Sequence, residues 1–343
     1  MPDLSKFKVV ISDSMHVPFE IEKATFAEAN LVPEIHACVS EEETIAACRD
    51  AHGIVNGFAP FTRKVIEQLE NCKIIARCGI GYDNVDVQAC TDHGIYLTNL
   101  PGYCAHEVAD HTLAMLLAIN RKIVLADQNY RKYDWAMNHL APVLAFQGRT
   151  LGLIGFGHIG SLFAKRVAAM ECDILVFDPY ISAESVEKLG YRYATDIEQI
   201  YKESDFISLL LPYTKDSHNI INKQSLAKMK KSAIIINTAR GKLIDEEALA
   251  EALKNGSIGG AAIDVFEHEL PPQELASFKK RMENYKSPLM ELGPDKVVLT
   301  PHESWYSDRA FVKLKEIPCR EVMRVLAGEK PLGAVNGKAL ENK

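Results

Sequence analysis

Leu151-Gly152-Leu153-Ile154-Gly155-Phe156-Gly157-His158-Ile159-Gly160 stands near the middle of this 343-residue chain, and its reading decides the fold. An apolar strand runs into G-x-G-x-x-G, and residues 159–170 then take up helical apolar spacing. Gly155 permits a tight turn, Gly157 lets the backbone approach a ligand, and Gly160 lets the helix lie close to the strand. The N–H groups that open the helix, with His158 and Ile159 at its start, have no partners within it and favour an anion. Alone, the glycine pattern is weak. Its setting makes it specific, because the next strand ends Leu175-Val176-Phe177-Asp178, about 20 residues past the glycines. A carboxylate there accepts bonds from ribose hydroxyls and repels a 2′-phosphate, and Pro179-Tyr180 bring no cation to receive one. The stretch predicts a site for NAD (NADH) ahead of NADP. The bland alternative is that Asp178 caps a turn before Pro179.

Working outward, short β-rich runs recur at 8–12, 53–56, 73–77, 95–98, 150–154, 173–177, 206–210, 233–237, 261–264 and 297–300. Segments with helical spacing separate them, among them 19–30, 41–49, 62–69, 107–120, 184–189 and 246–255. This alternation predicts an α/β protein with two Rossmann-like or flavodoxin-like domains, parallel sheets and a cleft between them. Because the glycine turn sits mid-chain, residues before it must build an α/β unit of their own. The expected division is a substrate-binding domain of 1–102 plus 303–343 and an NAD-binding domain of 103–302. A helical stretch at about 307–327 is expected to return to the first domain, with hinges near 100–102 and 299–301. The charged stretch 270–287, headed by Pro271-Pro272, reads as a surface excursion, with a lid or partner contact as the alternative.

Composition narrows the class. Hydrophobic residues make up 47% and charged residues 25%, as in soluble globular proteins, and the formal net charge is −7. That charge offers no footprint for nucleic acid or anionic membrane. The first eight residues lack the apolar core of a signal peptide, and no apolar run is long enough to span a bilayer. The eight cysteines are scattered with no Cys-x-x-Cys pair, which predicts reduced thiols, a cytoplasmic setting and no metal site. Cys78 lies in a glycine-rich turn, but no base beside it suggests a reactive thiol.

Three further segments place charged residues just past strands of the second domain, where parallel sheets present their ligands. In Ile234-Ile235-Ile236-Asn237-Thr238-Ala239-Arg240-Gly241, a guanidinium follows an apolar strand and suits a carboxylate with an adjacent carbonyl. The others are Ala261-Ala262-Ile263-Asp264-Val265-Phe266-Glu267-His268-Glu269 and Val297-Val298-Leu299-Thr300-Pro301-His302. Histidine is the side chain best matched to protonating a developing alkoxide near neutral pH, and a carboxylate on its other nitrogen would orient it. Each residue has a plainer reading: Arg240 could cap a helix, His302 is one of eleven histidines, and Glu267 stands near Glu269.

Together these segments resemble the D-isomer-specific 2-hydroxyacid dehydrogenase family over nearly the whole chain. Further landmarks are Arg77-Cys78-Gly79-Ile80-Gly81-Tyr82-Asp83-Asn84-Val85-Asp86, Asn99-Leu100-Pro101-Gly102, Val108-Ala109-Asp110 and Val335-Asn336. The resemblance implies NAD-dependent interconversion of a small D-2-hydroxy acid and its 2-oxo acid. It implies that Arg240 binds substrate, that His302 is the acid/base, and that Glu269, rather than Glu267, pairs with it. It also implies that Asp264 meets the nicotinamide carboxamide and that Thr112, Pro212, Thr238 and Ala239 contact the cofactor. The Arg77–Gly81 turn would bind the substrate, Gly79 within it and the Ile80 and Gly81 N–H groups toward the carboxylate. A homodimer is implied as well, through helix 107–120 and the excursion 125–146.

His302-Glu303-Ser304-Trp305-Tyr306-Ser307 is similar to the branch containing the C-terminal-binding-protein corepressors, which share the Trp-Tyr-Ser and an arginine where Arg77 stands. That similarity implies an indole wall, Trp305, favouring an apolar or thioether side chain; inter-domain packing is the alternative for Trp305. Glu303 replaces a small residue of many relatives, Leu270 separates Glu269 from Pro271, and Leu210 replaces a polar residue. Many phosphoglycerate dehydrogenases append a C-terminal regulatory domain, and the expectation from these 343 residues is a reading without one. A second reading, an NAD-responsive corepressor-like binding protein with secondary dehydrogenase activity, is distinguished by partner capture instead of turnover.

Overall fold

The computed structural model describes residues 2–13, 18–135, 140, 142–269 and 287–341. They divide into one unit drawn from 2–103 and 307–341 and another drawn from 104–269 and 287–306. All but the last residue of the charged stretch 270–287 lie outside the described residues, as do parts of the excursion 125–146.

In the first unit, β1 (Val9–Ile11), β2 (Glu34–Ile35), β3 (Gly53–Asn56), β4 (Ile74–Arg77) and β5 (Tyr96–Thr98) form a parallel sheet of order β2-β1-β3-β4-β5. This is the flavodoxin-like order. Its strands are apolar without alternation because both faces are covered. Val10, Ile54, Ile75 and Leu97 look to one core, and Val9, Ile11, Val55, Ile74 and Ala76 to the other. The helix Asp308–Leu326, capped by the Ser307 hydroxyl, packs Val322, Val325 and Leu326 into the second of these cores. Lys315 on that helix makes a buried 2.7 Å ion pair with Glu22.

The second unit holds β6 (Thr150–Ile154), β7 (Asp173–Phe177), β8 (Arg192–Tyr193), β9 (Phe206–Leu209), β10 (Ile234–Asn237), β11 (Gly260–Ile263) and β12 (Val297–Leu299). They pair in parallel in the order β12-β11-β10-β9-β6-β7-β8. The order reverses between β6 and β9, so the glycine turn after β6 opens at the switch point where such sheets take ligands. Side chains of successive strand residues fill opposite cores, Ile235 and Ile263 in one, Ile234, Ile236 and Ala262 in the other.

The expected strands are present to within a residue or two at their ends. The two-residue edge strands β2 and β8 and the short helices Val87–Asp92, Ile197–Glu203 and Lys223–Leu226 are additions. Each is too short to show a period, and the helices are announced by Asp86, Asp196 and Asn222, whose side chains accept from their first turns. Helix Ile123–Arg131 is a further addition and has no buried residue. Among the described residues no helix is long and apolar enough to cross a membrane. None of the eight cysteines is in a disulfide. Burial pushes the Cys78 thiol up to about 12, against a weaker pull from Arg77, so it stays protonated at neutral pH.

Candidate active site

Chain direction reverses sharply after β6. Gly155 has φ +96°, and a Cβ there would stand 2.5 Å from the Leu210 carbonyl oxygen that follows β9. A Cβ at Gly160 would stand equally close to the Gly155 carbonyl, so turn, helix and neighbouring strand are pressed together. Gly157 is the opposite case, with nothing within 4 Å of a Cβ. It caps helix His158–Ala168 without a side-chain bond, which leaves first-turn N–H groups such as those of His158 and Ile159 without a side-chain cap. Asp178 straps the turn from β7, its Oδ2 accepting the Phe156 N–H at 2.8 Å and its Oδ1 the Tyr180 N–H at 2.9 Å. The capping role and a ribose-binding role are therefore compatible, since each oxygen keeps a lone pair. An open glycine face, uncapped N–H groups and an adjacent carboxylate fit a dinucleotide.

The other expected cofactor contacts lie at neighbouring strand exits. The Pro212 carbonyl, past β9, accepts the Ser217 hydroxyl at 3.1 Å. Past β10, the Thr238 hydroxyl meets that of Thr112 at 2.8 Å. Thr112, on helix Ala105–Asn120, has no exposed surface, and its hydroxyl also donates to the Val108 carbonyl. It supports Thr238 from beneath.

Asn237, Ile263 and Leu299 are in register across β10, β11 and β12, so Arg240, Asp264 and His302 leave one edge of the sheet within a few residues of it. Parallel strands lie about 4.8 Å apart, which confines these exits to roughly two strand spacings. The Arg240 loop is shaped by Asn237, which donates to the Arg240 carbonyl at 2.8 Å and accepts the Ala239 N–H at 3.0 Å. Arg240 donates to the Ala239 carbonyl at 2.7 Å. Gly241 follows because a Cβ there would overlap the Phe266 carbonyl of the next loop.

That next loop carries the acidic cluster. Glu267 is exposed, and its N–H goes to Glu246 at 2.8 Å. Glu269 is half-buried; its Oε1 accepts the Phe266 N–H at 3.2 Å and its Oε2 lies 2.6 Å from His302 Nδ1. A carboxylate only accepts, so Nδ1 carries the proton of this bond and Nε2 is left for other chemistry.

His302 sits in left-handed backbone, φ +53°, which costs on the order of 1 kcal/mol for a residue with a Cβ. Asp264 holds it there. The Asp264 carbonyl accepts the His302 N–H at 2.7 Å. Its carboxylate, with no exposed surface, accepts the Thr300 hydroxyl at 2.6 Å, the Glu303 N–H at 3.0 Å and the Ser304 N–H at 3.2 Å. The side chain read from resemblance as a carboxamide partner thus takes its donors here from the His302 loop. Trp305, also buried, donates its indole N–H to the His302 carbonyl at 3.0 Å and stands edge-on to Tyr306. Glu303, next in the chain to His302, is exposed.

In the first unit, Arg77 ends β4 and folds back so that its guanidinium donates to the Cys78 carbonyl and lies 5.7 Å from the Phe58 ring centroid. Gly79 accommodates it, since a Cβ there would overlap the guanidinium. Asn99 donates to the Ile80 carbonyl at 2.7 Å, while among the described residues the Ile80 and Gly81 N–H groups have no acceptor. Asp13, buried, accepts the N–H groups of Gly57, Phe58 and Ala59 and fixes the loop that bears Phe58.

Sequence reading missed Asn237, Thr300, His111 and Asp13. His111 Nε2 lies 3.2 Å from the Thr300 hydroxyl and 3.8 Å from Asp264. Their common signal is a polar residue at the end of an apolar strand, or one helix turn facing it, where a loop needs its backbone groups satisfied.

Residues 113–304 match the family described as D-isomer specific 2-hydroxyacid dehydrogenase, NAD binding domain. The D-3-phosphoglycerate dehydrogenase of Methanocaldococcus jannaschii is 37% identical over 330 residues, covering 96% of this chain and 59% of that protein. This chain therefore spans less than two thirds of the length of that relative. The glyoxylate reductase of Korarchaeum cryptofilum is 34% identical over 307 residues, 88% of each. Among solved structures, the D-lactate dehydrogenase from Aquifex aeolicus, complexed with NAD and lactic acid, has a TM-score of 0.82 at 29% identity, covering 94% of this chain and 96% of that one.

Proposed function

The chain belongs to the D-isomer-specific 2-hydroxyacid dehydrogenase family, and from that premise we propose that it is an NAD-dependent oxidoreductase interconverting a small, uncharged-side-chain 2-oxo acid and its D-2-hydroxy acid. The observation that carries the reading is the 2.6 Å bond between His302 Nδ1 and Glu269 on the sheet edge that also bears Arg240.

The 155–160 turn and Asp178 would hold NADH, which when bound supplies the hydride that reduces C2 of the substrate. Arg240 takes the substrate carboxylate and polarises the carbonyl with its planar fork of donors. In the first unit, by the family resemblance, Arg77 and the Ile80 and Gly81 N–H groups would be the donors offered to a carboxylate. His302, held at Nδ1 by Glu269, gives a proton from Nε2 to the carbonyl oxygen as the alkoxide forms. In the reverse direction it takes that proton from the hydroxyl.

For the substrate side chain, Trp305 offers an indole and Glu303 an exposed carboxylate beside His302. The pair favours glyoxylate, pyruvate or a thioether 2-oxo acid over a phosphorylated one, which Glu303 would repel. The Trp-Tyr-Ser resembles the corepressor branch, but the relatives reported are dehydrogenases and reductases, and no observation favours a corepressor role. A homodimer is supported by the exposed Tyr130, Tyr133 and Trp135 in and after helix Ile123–Arg131, none of whose residues is buried; sedimentation at the mass of a single chain would remove it.

The test is NADH oxidation with glyoxylate, hydroxypyruvate, pyruvate, phenylpyruvate and 4-methylthio-2-oxobutyrate, and NAD reduction with 3-phosphoglycerate. Turnover of at least one unphosphorylated acid, well above that of 3-phosphoglycerate, is expected. No turnover of any would end the reading; preference for 3-phosphoglycerate would overturn the role given to Glu303.

A further inference from the structure

We propose that Asp264 is a positioning residue whose carboxylate clamps the 300–304 loop and thereby sets the His302 imidazole for proton transfer. The inference rests on the acid/base reading of His302 and goes beyond it. Four donors from that loop converge on Asp264: the His302 N–H on its carbonyl, and the Thr300 hydroxyl and the Glu303 and Ser304 N–H groups on its carboxylate. The carboxylate has no exposed surface, and Ser304, whose N–H it accepts, is buried as well, so losing the carboxylate would leave that donor without its partner.

The clamp has a second tier. The Thr300 hydroxyl donates to Asp264, so its lone pair accepts from His111 Nε2–H at 3.2 Å. His111 lies on helix Ala105–Asn120, which ties the loop to a rigid element as well as to β11. On its far side the loop is closed by the Trp305 indole on the His302 carbonyl. His302 thus has its N–H and its carbonyl both fixed, in a backbone conformation that a residue with a Cβ seldom adopts unaided. Once the backbone is held, the bond to Glu269 orients the ring. A misplacement of about 1 Å at a reacting group lowers rate by up to roughly a hundredfold.

Asp264→Asn keeps size and removes one acceptor, turning an amide NH₂ toward loop N–H groups. Thr300→Val removes one donor and leaves the carboxylate, and serves should the first variant fold poorly. Both are read in the intact chain by kcat, by KM for the 2-oxo acid, by Kd for NADH, and by hydrogen exchange at the indole N–H. The chain has two tryptophans, and exposed Trp135 is the internal reference for Trp305. The clamp predicts a ten- to hundredfold lower kcat in Asp264→Asn with KM and Kd within about threefold. It also predicts at least tenfold faster exchange at Trp305 and an intermediate Thr300→Val. Unchanged Trp305 exchange, or a loss confined to NADH affinity as a carboxamide partner would give, overturns it. The exchange measurement needs neither substrate nor turnover, so it judges the clamp separately from the proposed reaction.

Discussion

Glu269 and Glu267 are two residues apart on one loop, yet only Glu269 meets an imidazole. The loop turns Glu269 inward over the Phe266 N–H and toward His302 Nδ1, and leaves Glu267 at the surface. Glu269→Gln keeps an acceptor for Nδ1–H but replaces a charge-assisted bond with a neutral one. It should lower kcat by roughly tenfold or more within the contribution of general acid catalysis, typically ~10²–10⁴-fold. Glu267→Gln should leave steady-state kinetics unchanged; equal effects from the two would separate Glu269 from the chemistry. Arg240 and His302 were legible as candidates from their places just past apolar strands, each with a plainer reading beside it, whereas the choice of Glu269 over Glu267 came from the family resemblance alone. What holds them was not legible. Asn237 and Thr300 read as ordinary strand-end polar residues, and their role appears only when three loops are in register.

Element by element, each sheet secures its exit loops with a buried aspartate. Asp13, just past β1, takes three N–H groups of the 57–59 loop, and Asp264, just past β11, takes those of 303 and 304. Asp205 does the same at the opposite end of β9, with the Thr150 N–H, Lys230 and Arg149 on its carboxylate. Burial alone would raise its pKa, but these three donors together hold it below the ordinary carboxylate range. Its stabilising contribution is therefore complete above the unfolded value near ~3.9 and fades as pH falls through the lower folded value. Asp205→Asn should cost about 1–2 kcal/mol at pH 7, Lys230 and Arg149 being more than a third exposed and so screened. Denaturant melts should show the gap closing as pH falls through the folded value; a gap that persists in strong acid would assign it to packing. The strands around these aspartates were legible as unbroken apolar runs. The edge strands β2 and β8, two residues each, carry too little pattern to be read.

At the scale of the whole molecule, the position of the glycine motif was the most informative feature of the sequence. A dinucleotide turn at 155–160 requires an α/β unit before it, and the flavodoxin-like and Rossmann-like strand orders of the two units follow that requirement. The sequence says least about the substrate, because a side chain one carbon longer changes the demands on only a few residues; Trp305 and Glu303 are the two proposed here. Reaction class is different, since it depends on groups from β10, β11 and β12 reaching one edge. Its most direct measurement is pre-steady-state NADH oxidation by His302→Ala beside the native protein, on the best 2-oxo acid, with NADH binding measured in parallel. The expected result is a rate lower by about 10²–10⁴-fold with NADH affinity within threefold. A rate within twofold of the native protein would contradict His302 as the proton donor, and with it the mechanism built on this sheet edge.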